Sequence, residues 1–137
     1  MIFLDTNVVS ETLKRTPDPA VTSWLARFDV ELALSTIAIA EVAYGIEKIR
    51  PDQRSRRLER GLAEVRRHFA DRIYPFTEHA ALIYGVLMGE RTRSGRPMSV
   101  PDAMIAAVAR THGARLATRN LADFAGSGLE LISPWAA

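Results

Sequence analysis

The sequence contains no cysteine, which excludes disulfides, thiolate metal sites and thiol catalysis. A hard-cation site built from carboxylates stays open. No apolar run reaches the length of a membrane span, and no charged-then-apolar leader opens the chain. A cytoplasmic protein with no membrane association is therefore expected. Internal repeats, low-complexity tracts and long linkers are also missing, so residues 1–137 are expected to form one domain. There is no Ser-His-Asp set, no P-loop and no glycine fingerprint. His68, His79 and His112 are scattered and read as surface residues. Net charge is small, at +2, and by itself points only weakly to a polyanionic partner.

What is present is an ordinary globular composition, 47% hydrophobic and 25% charged, with basic residues that are almost all arginine. Arg50, Arg54, Arg56, Arg57, Arg60, Arg66 and Arg67 fall in one segment. Guanidinium forks suit phosphate, so this face either tracks a nucleic-acid backbone or is a solvated helix surface. Short apolar runs alternate with longer periodic segments, the pattern of an α/β domain with a parallel sheet. Ile2-Phe3-Leu4 predicts a central strand buried on both faces. Further strands are predicted at residues 32–35, 72–76 and 116–118, with a possible edge strand at 130–132. Thr6 and Asn7 are expected to cap a short helix over 8–13, Asp18 a helix with Val21, Trp24, Leu25 and Phe28 inward, and Thr36 a helix to about Lys48. A long amphipathic helix over 52–69 turns Leu58, Leu62, Val65 and Phe69 inward. Thr77 caps the next helix, Pro101 opens a nearly all-apolar helix over 103–110, and Gly113 stops it.

Against this frame a few acids stand out. Asp5 follows the first strand, at the sheet edge where open α/β folds bind ligands; the alternative is a helix cap. Glu41 lies beside the apolar stripe of its helix, with small Ala38 and Gly45 at i−3 and i+4 leaving room above the carboxylate. Its alternative is a boundary residue paired with Lys48 or an arginine. Asp102 sits in the first turn of a largely apolar helix, where an acid also suits the helix dipole. Asn120 and Asp123 follow the fourth strand, and Asp123 alternatively braces a surface turn. Acids from separate strand ends converge on one edge and repel unless a cation sits between them. Oxygen-only donors suit Mg²⁺ or Mn²⁺, whose fitting chemistry is phosphodiester hydrolysis.

These residues carry a family resemblance. The opening Met1-Ile2-Phe3-Leu4-Asp5-Thr6-Asn7 resembles that of PIN-domain ribonucleases, especially toxins of VapBC-type toxin–antitoxin pairs. The likeness continues through Ser35-Thr36-Ile37, Ala40-Glu41-Val42 with Gly45, Pro101-Asp102-Ala103-Met104, Thr118-Arg119-Asn120 and Asp123-Phe124. The ending Ser133-Pro134-Trp135 resembles the FitB-like branch. The resemblance implies a PIN-like α/β/α sandwich with a central parallel sheet and a Mg²⁺-dependent endoribonuclease, with Mn²⁺ as a possible substitute. It also implies RNA as substrate, a homodimer, and a cognate VapB- or FitA-like antitoxin forming a hetero-oligomer with it. Asp5, Glu41 and Asp102 map onto the family's metal-binding and catalytic acids. Asp123 is a fourth catalytic candidate, because Asn120 stands where many members carry Asp. Thr6 and Asn120 are implied to orient ligand or water. An antitoxin segment is expected to insert Arg or Lys into the acidic pocket and lie along a groove beside the helices starting at Thr6 and Thr36. The alternatives are an RNA- or protein-binding module with this fold that cleaves weakly or not at all, or a housekeeping nuclease outside any toxin–antitoxin pair. A haloacid-dehalogenase-like phosphotransferase fits poorly, because Asn7 occupies the place its second Asp requires.

Overall fold

The computed structural model describes residues 1–136. Its strands β1 (Ile2–Leu4), β2 (Leu32–Ser35), β3 (Ile73–Tyr74), β4 (Arg115–Ala117) and β5 (Leu131–Ile132) form one all-parallel sheet in the order β3-β2-β1-β4-β5. The helices are α1 (Thr6–Thr12), α2 (Pro19–Phe28), α3 (Thr36–Lys48), α4 (Arg54–His68), α5 (Glu78–Arg93), α6 (Val100–Thr111) and α7 (Leu121–Phe124). Two 3-10 turns, at Asp29–Glu31 and Pro134–Ala136, complete the described elements.

Side chains alternate across a strand, and β1 shows what that does here. Phe3 packs into a core with Ala33, Ala80, Leu87, Ile105 and Leu116, largely beneath α5 and α6. Ile2 and Leu4 face the other way, into a core with Leu34 of β2 and with Val8, Val21, Trp24, Val42, Ile46 and Leu62 from α1, α2, α3 and α4. Helices thus cover both faces, giving the α/β/α sandwich, and β1 is buried throughout as its all-apolar run predicts.

Several boundaries move, each for a local reason. Asp5, not Thr6, caps α1, because its extended backbone lets Oδ1 accept from the Thr6 backbone N–H at 2.8 Å. Ser35, not Thr36, caps α3 from the end of β2, with Oγ accepting from the Ala38 N–H at 3.1 Å. Ser99 caps α6, which places Pro101 in the first turn. The third strand is shorter than the predicted 72–76, and Pro75, lacking an N–H, follows it directly. The long helix starts at Arg54 and ends at His68, with Phe69 buried just beyond it.

Strand order reverses at β1, whose connections run to β2 on one side while β4 pairs on the other. Ligands of open parallel sheets bind at such a point, beyond the strands' C-terminal ends. Here the Asp5 N–H donates to the Ala117 carbonyl at 2.9 Å, bringing the segments after β1 and β4 together.

Candidate active site

Asp5, Thr6, Glu41, Asp102 and Asn120, from four separate stretches of the chain, line one cleft of about 430 Å³ together with Asn7, Ser10, Glu11, Lys14, Arg119 and Trp135. Asp5 is 4% exposed and lies at its base. Its Oδ2 accepts from the Thr118 hydroxyl at 2.7 Å, and Thr118 Oγ1 in turn accepts from the Asn120 N–H at 3.0 Å. Asp5 is therefore both a helix cap and a cleft acid; the two readings do not compete. Burial pushes its carboxyl up to about 6, against the hydrogen bonds from Thr118 and the Thr6 backbone, and Asp102 and Glu41 raise it further.

Glu41 accepts from the Thr6 hydroxyl. The expected alternative, an ion pair with Lys48 or an arginine, is not formed among the described residues: Lys48 instead stacks on Tyr44, 5.5 Å from the ring centroid. Asp102 is half-buried in the first turn of α6. Burial raises its carboxyl above the ordinary range, opposed by Ser99, with Glu41 and Asp123 adding to the rise. Asp123 is exposed on α7 and does not line the cleft, although its charge reaches Asp102. Within the cleft, Asn120 holds the position that Asp123 was expected to share.

A second, larger concavity of about 950 Å³ runs between α1, α2 and α4. Val9, Leu13, Leu25, Val65 and Phe69 line it, and it carries Arg15, Arg57 and Arg60. Lys14 borders both this groove and the cleft. The expectation had placed the groove beside α1 and α3. This concavity shares α1 with that expectation and borders α2 and α4 rather than α3.

Residues 2–125 match the PIN domain. The chain belongs to the PIN domain family. The VapC ribonuclease Y4jK of Sinorhizobium fredii is 39% identical to it over 98% of both chains. The toxin FitB of Neisseria gonorrhoeae is 34% identical, covering 98% of this chain and 99% of the toxin. The crystal structure of FitAcB from Neisseria gonorrhoeae superposes with a TM-score of 0.90 at 33% identity over the whole of each chain.

Two residues of this PIN domain escaped sequence reading. Glu11 is 4% exposed, accepting from Lys14 Nζ and from the Asp18 N–H, each at 2.9 Å. Those bonds, with Lys14 first and Arg119 contributing least, hold its carboxyl below the usual range. Its place three residues after buried Val8 was the available signal. Arg91 is 7% exposed and donates to the carbonyls of Arg96 (2.7 Å), Asp123 (3.2 Å) and Ala125. It thereby ties the turn carrying Asp123 to α5, and nothing in its polar neighbourhood foretells this.

Among the described residues no three His, Cys, Asp or Glu side chains are gathered closely enough to hold an ion as they stand. The donor set nonetheless fits Mg²⁺ or Mn²⁺ by chemistry. It is all oxygen, two of its carboxyls are raised by burial and by neighbouring carboxylates, and Mg²⁺ commonly binds through one or two carboxylates with water filling the rest. No helix among the described residues is long and apolar enough to cross a membrane.

Proposed function

We propose that the chain is a Mg²⁺- or Mn²⁺-dependent endoribonuclease acting as the toxin of a toxin–antitoxin pair. The observation carrying this reading is the convergence of Asp5, Glu41 and Asp102 on one cleft at the sheet's switch point, with the Asp5 carboxyl pushed up to about 6. Carboxyls raised by burial, and further by neighbouring carboxylates, are relieved by a cation, and Asp5, Asp102 and Glu41 would hold it. Bound there, it would polarise the phosphoryl oxygen and ease ionisation of the attacking water. Asp5 is kept in place by Thr118 and the Thr6 N–H, and Glu41 by the Thr6 hydroxyl, so Thr6 orients two of the acids at once. Asn120 offers a neutral amide to ligand or water.

Restraint by an antitoxin fits the surface. A partner's basic side chain would pair with the cleft acids in place of metal, and its apolar residues would fill the adjoining groove between α1, α2 and α4. The purified protein should cleave RNA with Mg²⁺ or Mn²⁺ and stop on chelation. Asp5→Asn and Asp102→Asn should each lower the rate by at least about a hundredfold. Expression in bacteria should arrest growth, and co-expression of the small protein encoded beside it should restore growth. Cleavage without growth arrest would make this a housekeeping nuclease. RNA binding without cleavage would make it a binding module.

A further inference from the structure

We propose that Arg119, seated on the ring of Trp135 at the acidic cleft, grips the RNA phosphate next to the one being cleaved. The inference rests on the ribonuclease reading and gives that cleft its substrate-positioning cation.

An RNA strand entering this cleft meets four carboxylates, on Asp5, Glu11, Glu41 and Asp102. A cation held by the acids would answer the scissile phosphate, and the neighbouring phosphate would still need a positive partner. Two basic side chains line the cleft, Lys14 and Arg119. Lys14 is committed to Glu11, at 2.9 Å. Arg119 makes no ion pair within 4.0 Å among the described residues and is exposed to an incoming ligand.

Its placement is fixed from both ends. The Arg119 backbone N–H donates to Asn7 Oδ1 at 3.4 Å, and the next N–H, of Asn120, donates to the Thr118 hydroxyl that holds Asp5. At the far end the guanidinium carbon stands 5.0 Å from the Trp135 ring centroid. Trp135 is itself half-buried and packed against the core containing Val21 and Trp24, so the ring is a fixed seat. A guanidinium held over an aromatic face keeps its planar fork free for a phosphate, which it grips bidentately. Were Arg119 only a counter-charge for Glu11, its loss would move stability and leave substrate handling alone.

The test uses single-stranded oligoribonucleotides of mixed sequence, each carrying one uncharged methylphosphonate linkage at a different position. For the wild-type protein, one such linkage adjacent to the cleaved bond should lower kcat/KM by roughly tenfold or more, the scale of a charge-assisted hydrogen bond. Arg119→Gln should lower kcat/KM by a similar factor on unmodified RNA and lose nothing further from that same linkage. Arg119→Lys should fall between the two. Trp135→Leu should reproduce Arg119→Gln, and Trp135→Phe, with a smaller ring, should lie between it and wild type. Equal losses for wild type and Arg119→Gln at every linkage would overturn the proposal, as would a lower Tm for Arg119→Gln with unchanged kcat/KM. If the wild-type protein cleaves none of these RNAs with Mg²⁺ or Mn²⁺, the ribonuclease reading falls and takes this inference with it.

Discussion

Asp5 unites two roles that the sequence presents as rivals, and its titration gives them separable consequences. As a cap it needs only an acceptor oxygen, which Asn also offers; as a cleft acid it needs charge. Its folded pKa of about 6 exceeds the unfolded value near 3.9, so between those values the folded protein binds the extra proton. The metal-free protein therefore loses stability from this group as pH rises from about 4 to above 6. Glu11, held below its usual range, acts in the opposite sense and loses its contribution on acidification. Asp5→Asn isolates the first effect. Without divalent ions the variant should be more stable than wild type at pH 8, by on the order of 1–3 kcal/mol. That margin should shrink towards zero as pH falls to 4, and denaturant unfolding across the range reads it directly. A margin constant with pH would mean that the Asp5 carboxyl is not raised. Adding Mg²⁺ should stabilise wild type at pH 8 and leave the variant nearly unmoved.

At the scale of elements, α4 shows what periodicity reveals and what it misses. The spacing of Leu58, Leu62 and Val65 predicts the buried stripe, and Arg56, Arg60, Arg66 and Arg67 are exposed as expected. The pattern could not foretell that Arg50 pairs with Glu47 and Glu59 and Arg54 with Asp52, which leaves less of this face free for phosphate. Nor could it show that Arg57 Nε and Nη1 are buried without a partner beside the apolar groove. A half-buried guanidinium with two nitrogens shut off unpaired is costly, and an apolar side chain of similar length removes the cost. Arg57→Met should raise the stability of the free protein by about 1 kcal/mol, seen as a higher denaturant midpoint with unchanged slope. A lower midpoint would mean that the guanidinium finds a partner in solution. The same division runs through the rest of the fold. Apolar runs and breakers located strands and helices to within a few residues, because burial and backbone chemistry act locally. The acids of the cleft could be gathered because the topology of a parallel sheet brings strand ends to one edge. Glu11, Arg91 and the seating of Arg119 on Trp135 depend on contacts between distant segments, and no local pattern encodes them.

The whole molecule separates its surfaces by chemistry. The cleft lies at the C-terminal edge of the sheet, the apolar groove opens over α1, α2 and α4, and α5 covers the opposite face of the sheet. On α5, Ala80 and Leu87 are buried, with Ile83, Tyr84 and Met88 packed against the same core, which turns Leu82 and Val86 outward at 68% and 58% exposure. These two lie one turn apart, flanked by exposed Ala81 and Gly85, so a second helix could approach closely. Large apolar side chains exposed in a cluster mark an association surface more often than a free one. The homodimer implied by the family resemblance would cover them, and it would leave the cleft open, since α5 contributes no residue to the cleft lining. Analytical ultracentrifugation should therefore give twice the chain mass at micromolar concentration. Changing Leu82 and Val86 together to Glu should give a monomer of unchanged helix content, because both side chains already face solvent in the single chain. A wild-type monomer at every concentration, or a double variant that still dimerises, would place the interface elsewhere.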